Sequence, residues 1–212
     1  MLTDPRSDCR LCPRLAGFRT ENVRLFPDFH NAPVPSFGPA DARLLVVGMA
    51  PGLKGANRTG RPFTGDYAGD LLYDTLKTFG FAAGDYGKRA DDGLSLIDCR
   101  ITNAVRCVPP QNKPIGAEVA SCRPFLAATV EEMPRLKVIV ALGSLAHGAT
   151  LAALGRKKSS AKFGHNTEHG LGDGRVLIGS YHCSRYNTNT GRLTEQMFHD
   201  VFRRVRGVLD ST

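Results

Sequence analysis

Four short runs, RLLVVGM (43–49), DCRITNAV (98–105), KVIVALG (137–143) and RVLIGSY (175–181), are rich in β-branched residues and almost continuously apolar. A strand with one face in water alternates apolar and polar residues. A run without that alternation buries both faces, as strands inside a parallel sheet do. Helical patterns fall between the runs. DYAGDLLYDTLKTFG has Asp66 as an N-cap, Leu72, Leu76 and Phe79 on one face, and Gly80 as its stop. SCRPFLAATVEEM reads as a helix capped by Ser121 with Pro124 in its first turn, and SLAHGATLAALG as one ending at Gly155. A last helix, from about residue 193 to 209, buries Met197, Val201, Phe202, Val205 and Val208. It gathers Arg203, Arg204 and Arg206 toward its C-terminal end. The alternation predicts an α/β fold: a three-layer α/β/α sandwich with a central, mainly parallel four-stranded sheet, in one domain spanning 1–212.

Ligands of such sheets bind beyond the carboxyl ends of the strands. Three glycine-rich or polar stretches, 48–66, 103–116 and 181–192, leave strand ends and are expected to converge on one cleft. A fourth, 154–174, is basic and polar with no helical or strand period. It reads as a mobile surface excursion able to meet DNA. The net charge of +8, from 28 Lys+Arg against 20 Asp+Glu, suits a polyanionic partner without specifying one. No segment approaches the ~18 apolar residues of a membrane helix, and MLTDPRSDCR lacks the apolar core of a secretory signal, so a cytoplasmic location is expected. In that compartment six cysteines suggest metal or redox chemistry rather than disulfides. Cys9 and Cys12 form a C-x-x-C pair, with Cys107 and Cys122 far downstream, and spacing alone leaves zinc and iron–sulfur open. Cys99 reads as core, and Cys183 as a non-ligand.

The stretch GMAPGLKGANRTGRPFTGDYAG (48–69) is neither a Walker A loop nor a dinucleotide fingerprint. Its glycines let main-chain N–H groups approach a ligand, and it ends in an aromatic, Phe63, and a carboxylate, Asp66. Asn103 stands at a strand end, where its amide offers a donor and an acceptor to a planar heterocycle. His182 stands at another, followed by Ser184, Arg185, Asn187, Thr188 and Arg192, residue types suited to gripping phosphates. Taken singly, each has a plainer role. Asp66 caps a helix, Phe63 packs a core, and Asn103 and His182 satisfy loop backbone.

Together the stretches APGLKGANRTGRPFTGD, TNAVRC and HCSRYNTNTGRLT, with Cys12-Pro13-Arg14-Leu15, resemble the motifs of the family 5 uracil-DNA glycosylases. These are relatives of the iron–sulfur family 4 enzymes, and the resemblance runs from Cys9 to the last helix. It implies a monomeric DNA-repair hydrolase that removes uracil, with other deaminated bases as further candidates, and leaves an abasic site. It implies Asp66 and His182 as catalytic residues, Ala50, Phe63 and Asn103 as base-binding residues, and the residues after His182 as phosphate contacts. It also implies a [4Fe–4S] cluster on Cys9, Cys12, Cys107 and Cys122. Met49 stands where family 4 carries its glutamate, which moves the water-activating role to Asp66. Cys183 replaces the family's usual proline, and Tyr186 a common glutamine. A binding module that has lost catalysis and an iron–sulfur sensor are the competing readings.

Overall fold

The computed structural model describes residues 4–211. In chain order it contains α1 (Pro13–Leu25), β1 (Leu44–Gly48), α2 (Ala56–Thr59), α3 (Tyr67–Thr78), β2 (Ala82–Ala83), β3 (Ser95–Leu96) and β4 (Cys99–Asn103). There follow α4 (Gly116–Glu131), β5 (Val138–Leu142), α5 (Ser144–Ala153), β6 (Glu168–Gly170), β7 (Val176–Ser180), α6 (Arg185–Asn189) and α7 (Glu195–Asp210). The main sheet runs β4-β1-β5-β7-β6. Its first four strands are parallel.

The unbroken apolar runs are explained by what covers each face. Leu44 and Val46 of β1 join Leu72 and Leu76 of α3 and Val201, Phe202 and Val205 of α7 in one core. Leu45 and Val47 point the other way, into a core with Leu126 and Val130 of α4 and Ala146 and Leu151 of α5. Both layers are closed, so neither face of the strand reaches water. The chain leaves β1 toward α3 on one face and leaves β5 toward α5 on the other. A crevice therefore opens at the carboxyl ends of these two neighbours.

Three expectations need correction. The sheet has five strands rather than four, because part of the basic 154–174 excursion forms β6, antiparallel to β7 with Glu168 opposite Ile178 and Gly170 opposite Val176. Three residues, EHG, are too short and too polar to show a strand period. The fourth helix begins at Gly116 rather than after Ser121, leaving Pro124 in its interior. Its start is fixed by Glu118, whose carboxylate accepts from the Ile115 N–H at 2.9 Å. The first loop is also less open than its glycine content suggests, since Asn57, Arg61, Phe63 and Thr64 are all buried. The last helix buries Val201, Phe202 and Val205 as expected, but Phe198 and Leu209 are fully buried where Met197 and Val208 are only partly so; Thr194 caps it by accepting from the Met197 N–H at 3.1 Å.

Candidate active site

Asp66 sits at the N-cap of α3, where its side chain accepts from the Gly69 N–H at 3.3 Å. The second carboxylate oxygen faces the glycine-rich loop. A Cβ on Gly52 would lie 3.1 Å from Oδ2, and one on Gly55 would overlap that oxygen and come within 2.8 Å of Cγ. These glycines are therefore a matter of space: main chain lies where any side chain would displace the carboxylate. Burial pushes the Asp66 carboxyl up from its ordinary value of 3.8, against the pull of the Gly69 and Ala68 N–H groups.

His182 follows β7 from the opposite side of the crevice. Its ring is half-buried and stacks 5.9 Å from the Phe63 ring, at 29°. Burial alone lowers it to about 4, so the imidazole is neutral at physiological pH. Its main chain is fixed by Asn187, whose amide donates to the His182 carbonyl at 2.9 Å, and by Cys183, whose buried thiol donates to the Ala68 carbonyl at 3.4 Å. The second contact ties the histidine loop to the turn that carries Asp66.

Phe63 adopts a left-handed backbone, φ +53°, which turns its ring inward beneath β1. Asn103 ends β4 opposite Gly48, the last residue of β1. The missing side chain at Gly48 makes room for both: a Cβ there would lie 2.5 Å from Phe63 Cζ and overlap Asn103 Oδ1. Phe63, Asp66, Asn103 and His182, with Ala50 and Gly52, line one narrow recess. It is continuous, through Ala50, Gly52, Asp66, Ala68 and His182, with a cleft of about 690 Å³. Met49, Leu142, Gly143 and Ser144 wall that cleft, which places it in the crevice between β1 and β5.

Behind this cleft Cys9, Cys12, Cys107 and Cys122 line a second, smaller cavity with Leu15, Val105 and Phe125. Desolvation raises the thiols of Cys12, Cys107 and Cys122, the last two to about 12 and about 11. Two N–H donors point at sulfur: the Arg19 guanidinium reaches Cys107 Sγ at 3.7 Å, and the Arg106 backbone N–H reaches Cys122 Sγ at 3.4 Å. Arg14, in α1 directly after the Cys9–Cys12 pair, ties that helix to Cys122-bearing α4 by donating to both Glu118 carboxylate oxygens, at 2.7 and 2.8 Å. Among the described residues, no three or more His, Cys, Asp and Glu side chains are grouped to hold a metal ion.

The family described as the uracil DNA glycosylase superfamily matches residues 35–206. A type-5 uracil-DNA glycosylase of Thermus thermophilus is 46% identical over 198 residues, covering 91% of this chain and 90% of its own. The chain belongs to the uracil-DNA glycosylase superfamily, in its type-5 branch. Type-5 uracil-DNA glycosylases of Mycobacterium tuberculosis and Pyrobaculum aerophilum are 42% and 39% identical over 208 and 201 residues. These matches cover 94% and 93% of this chain, and 78% and 87% of the relatives. A type-4 uracil-DNA glycosylase of Thermotoga maritima matches at 36% over 148 residues, 69% of this chain and 67% of its own.

The five residues expected to grip DNA do not form one group in this glycosylase-family fold. Ser184 and Arg185 line the cleft, with the Arg185 guanidinium 5.4 Å from the Tyr67 ring centroid at its mouth. Asn187 is spent on the His182 carbonyl, and the Thr188 hydroxyl donates to the carbonyls of Ser184 and Arg185. Arg192 lies over the Tyr181 ring, 4.8 Å from its centroid. Sequence reasoning missed Lys54, Asn112 and Ser144, which also line the cleft. Lys54 and Asn112 lay within stretches already read as cleft-forming, so their position was the available signal. Ser144 follows a strand end directly and carried the same signal unread. Among the described residues, no helix is long and apolar enough to cross a membrane.

Proposed function

We propose that this protein is a monofunctional DNA-repair glycosylase that hydrolyses the N-glycosidic bond of uracil in DNA, with Asp66 and His182 carrying the chemistry. One observation carries the reading. A carboxylate and an imidazole from residues more than a hundred positions apart meet an aromatic ring and an amide around a single recess.

A base must leave the duplex to react. Phe63 supplies an apolar ring for it to stack on, and Asn103 a donor and an acceptor for its edge. The Phe63 and His182 rings are 5.9 Å apart. Inserting a base between two parallel rings needs about 7 Å, twice a stacking contact of about 3.5 Å. The base therefore lies over Phe63 with His182 beside it, so that a ring N–H of the neutral imidazole meets a uracil oxygen. As the bond to the sugar lengthens, negative charge grows on that oxygen and a fixed donor stabilises it. Asp66 orients the attacking water and accepts its proton, while its charge favours the cationic sugar. Partial desolvation makes the carboxylate a better base than an exposed one. Ser184 and Arg185 hold the phosphates flanking the extruded nucleotide. Other deaminated bases are further substrates of the same cleft.

Cys9, Cys12, Cys107 and Cys122 would hold a [4Fe–4S] cluster. Burial pushes the thiols of Cys12, Cys107 and Cys122 up, so a metal binding there would displace a proton from each. N–H donors aimed at Cys107 and Cys122 would suit thiolate ligands, and four cysteines around one cavity match the four-cysteine donor set of such a cluster. When bound, the cluster supplies structural cross-linking of the N-terminal arm to α4, and no step of the hydrolysis passes through it.

The test is a duplex carrying one uracil. Base release with an intact, alkali-labile strand is expected, lost in Asp66→Ala while DNA binding persists. Binding without release by the wild-type protein would select the non-catalytic alternative.

A further inference from the structure

Residues 84–94, GDYGKRADDGL, follow β2 and fold back onto the turn that carries Phe63 and Asp66. Asp92 organises them: its carboxylate accepts from the N–H groups of Gly87 at 2.9 Å and Leu94 at 3.1 Å, and pairs with both terminal nitrogens of buried Arg61 at 2.8 and 2.7 Å. Arg61 Nε donates in turn to the Thr64 hydroxyl at 2.8 Å. This strap delivers Tyr86 to the turn. The Tyr86 hydroxyl donates to the Phe63 carbonyl at 3.2 Å and accepts from the Gly65 N–H at 3.3 Å. Tyr73 of α3 packs against Tyr86, centroids 4.7 Å apart with the rings tilted by 38°, and donates to the Pro62 carbonyl at 2.6 Å. On the far side Gly69 leaves space that a side chain would take, since a Cβ there would overlap the Phe63 carbonyl and the Tyr86 hydroxyl.

The backbone that Tyr86 bridges is the one with least reason to hold its shape alone. Phe63 has φ +53° and Gly65 φ +96°, and a left-handed conformation at a bulky residue persists only where its surroundings impose it. We propose that Tyr86 is a positioning residue of the glycosylase reaction, bridging the peptide groups on both sides of Thr64 so that Phe63 and Asp66 face the same recess. The inference rests on the base-excision reading above. Burial pushes the Tyr86 phenol up to about 12, so it remains a donor across any workable assay pH.

Tyr86→Phe removes the hydroxyl and keeps the ring packed against Tyr73. Single-turnover release of uracil from saturating duplex is expected to fall about tenfold, the weight of one lost hydrogen bond, while DNA affinity stays within about twofold. The Gly65 amide, deprived of its acceptor, is expected to lose hydrogen-exchange protection. In a Phe63→Ala background the same substitution should still lower the rate, by less than tenfold, because the part of the loss carried through the Phe63 ring is already gone while Asp66 is still displaced. A lowered melting temperature with an unchanged rate would overturn the proposal and leave the glycosylase reading intact. Absence of uracil release by the wild-type protein would sink that reading itself.

Discussion

Substituting Gly48 by alanine probes the base recess without touching any group assigned to the chemistry. Gly48 ends β1, paired with Asn103 across the sheet, and its carbonyl accepts from the Ala104 N–H at 2.9 Å. The backbone is held on that side, so the new methyl cannot retreat. It would stand 2.5 Å from Phe63 Cζ and 2.7 Å from Cε2, where an unstrained carbon contact is about 3.5 Å. The ring must therefore withdraw by about 1 Å, and the Asn103 amide, which the methyl overlaps, must rotate away. Misplacement of a positioning group by about 1 Å costs on the order of 100-fold in rate. Overpacking of a tight site costs about 1–3 kcal/mol of stability. Single-turnover excision from a labelled uracil duplex, read beside a thermal melt, separates the two effects. We expect a rate loss near two orders of magnitude in a protein that still folds and binds DNA. A folded Gly48→Ala protein excising uracil at the wild-type rate would refute the assignment of Phe63 and Asn103 to the base.

Three further outcomes follow from the same geometry. Excision should fall on acidification, as Asp66, raised above its ordinary 3.8, and His182, near 4, take up protons, because both groups work in their unprotonated forms. A rate that climbs from pH 7 to pH 5 would mean that imidazolium is the active form. Cys122→Ser should abolish iron, sulfide and visible colour in the purified protein, whereas Cys99, buried in the core beneath α3 and α7, can be replaced without loss of iron; a zinc-loaded, colourless wild type would contradict this. Arg185→Ala should weaken duplex binding and reduce the salt dependence by about one ion, with a smaller effect from Arg192→Ala, since Arg192 is stacked on Tyr181; equal effects would show that both grip phosphate.

The parallel core was legible because burial on both faces removes alternation from a strand, and β1, β5 and β7 carry that mark, whereas β4, CRITN, alternates and buries Arg100 and Thr102 all the same. His182 was legible as a crevice residue because it follows a strand end, and Asp66 because the glycine-rich loop that leaves β1 ends in it at the cap of α3; their pairing was legible only through the family motifs. What stayed hidden was built from partners distant in sequence. The Asp92–Arg61 pair spans 31 residues, and nothing in GDYGKRADDG marks Asp92 as buried or Tyr86 as facing a loop it does not adjoin. Strand β6 exists because β7 offers it an open edge, not because Glu168, His169 and Gly170 favour extension. The helix start at Gly116 was masked by Pro124, which looks like a first-turn residue and sits in the middle. Asn187 reads from sequence as a phosphate ligand, and nothing there shows that its amide also donates to the His182 carbonyl inside its own loop.

The most direct measurement is a crystal structure of Asp66→Asn, which keeps the helix cap, bound to a duplex containing uracil. We expect the extruded base lying over Phe63, its edge paired with Asn103, a carbonyl oxygen within hydrogen-bonding distance of the His182 ring, and residue 66 facing the anomeric carbon of the sugar. A uracil held elsewhere in the cleft, with His182 and residue 66 both remote from the scissile bond, would contradict the account.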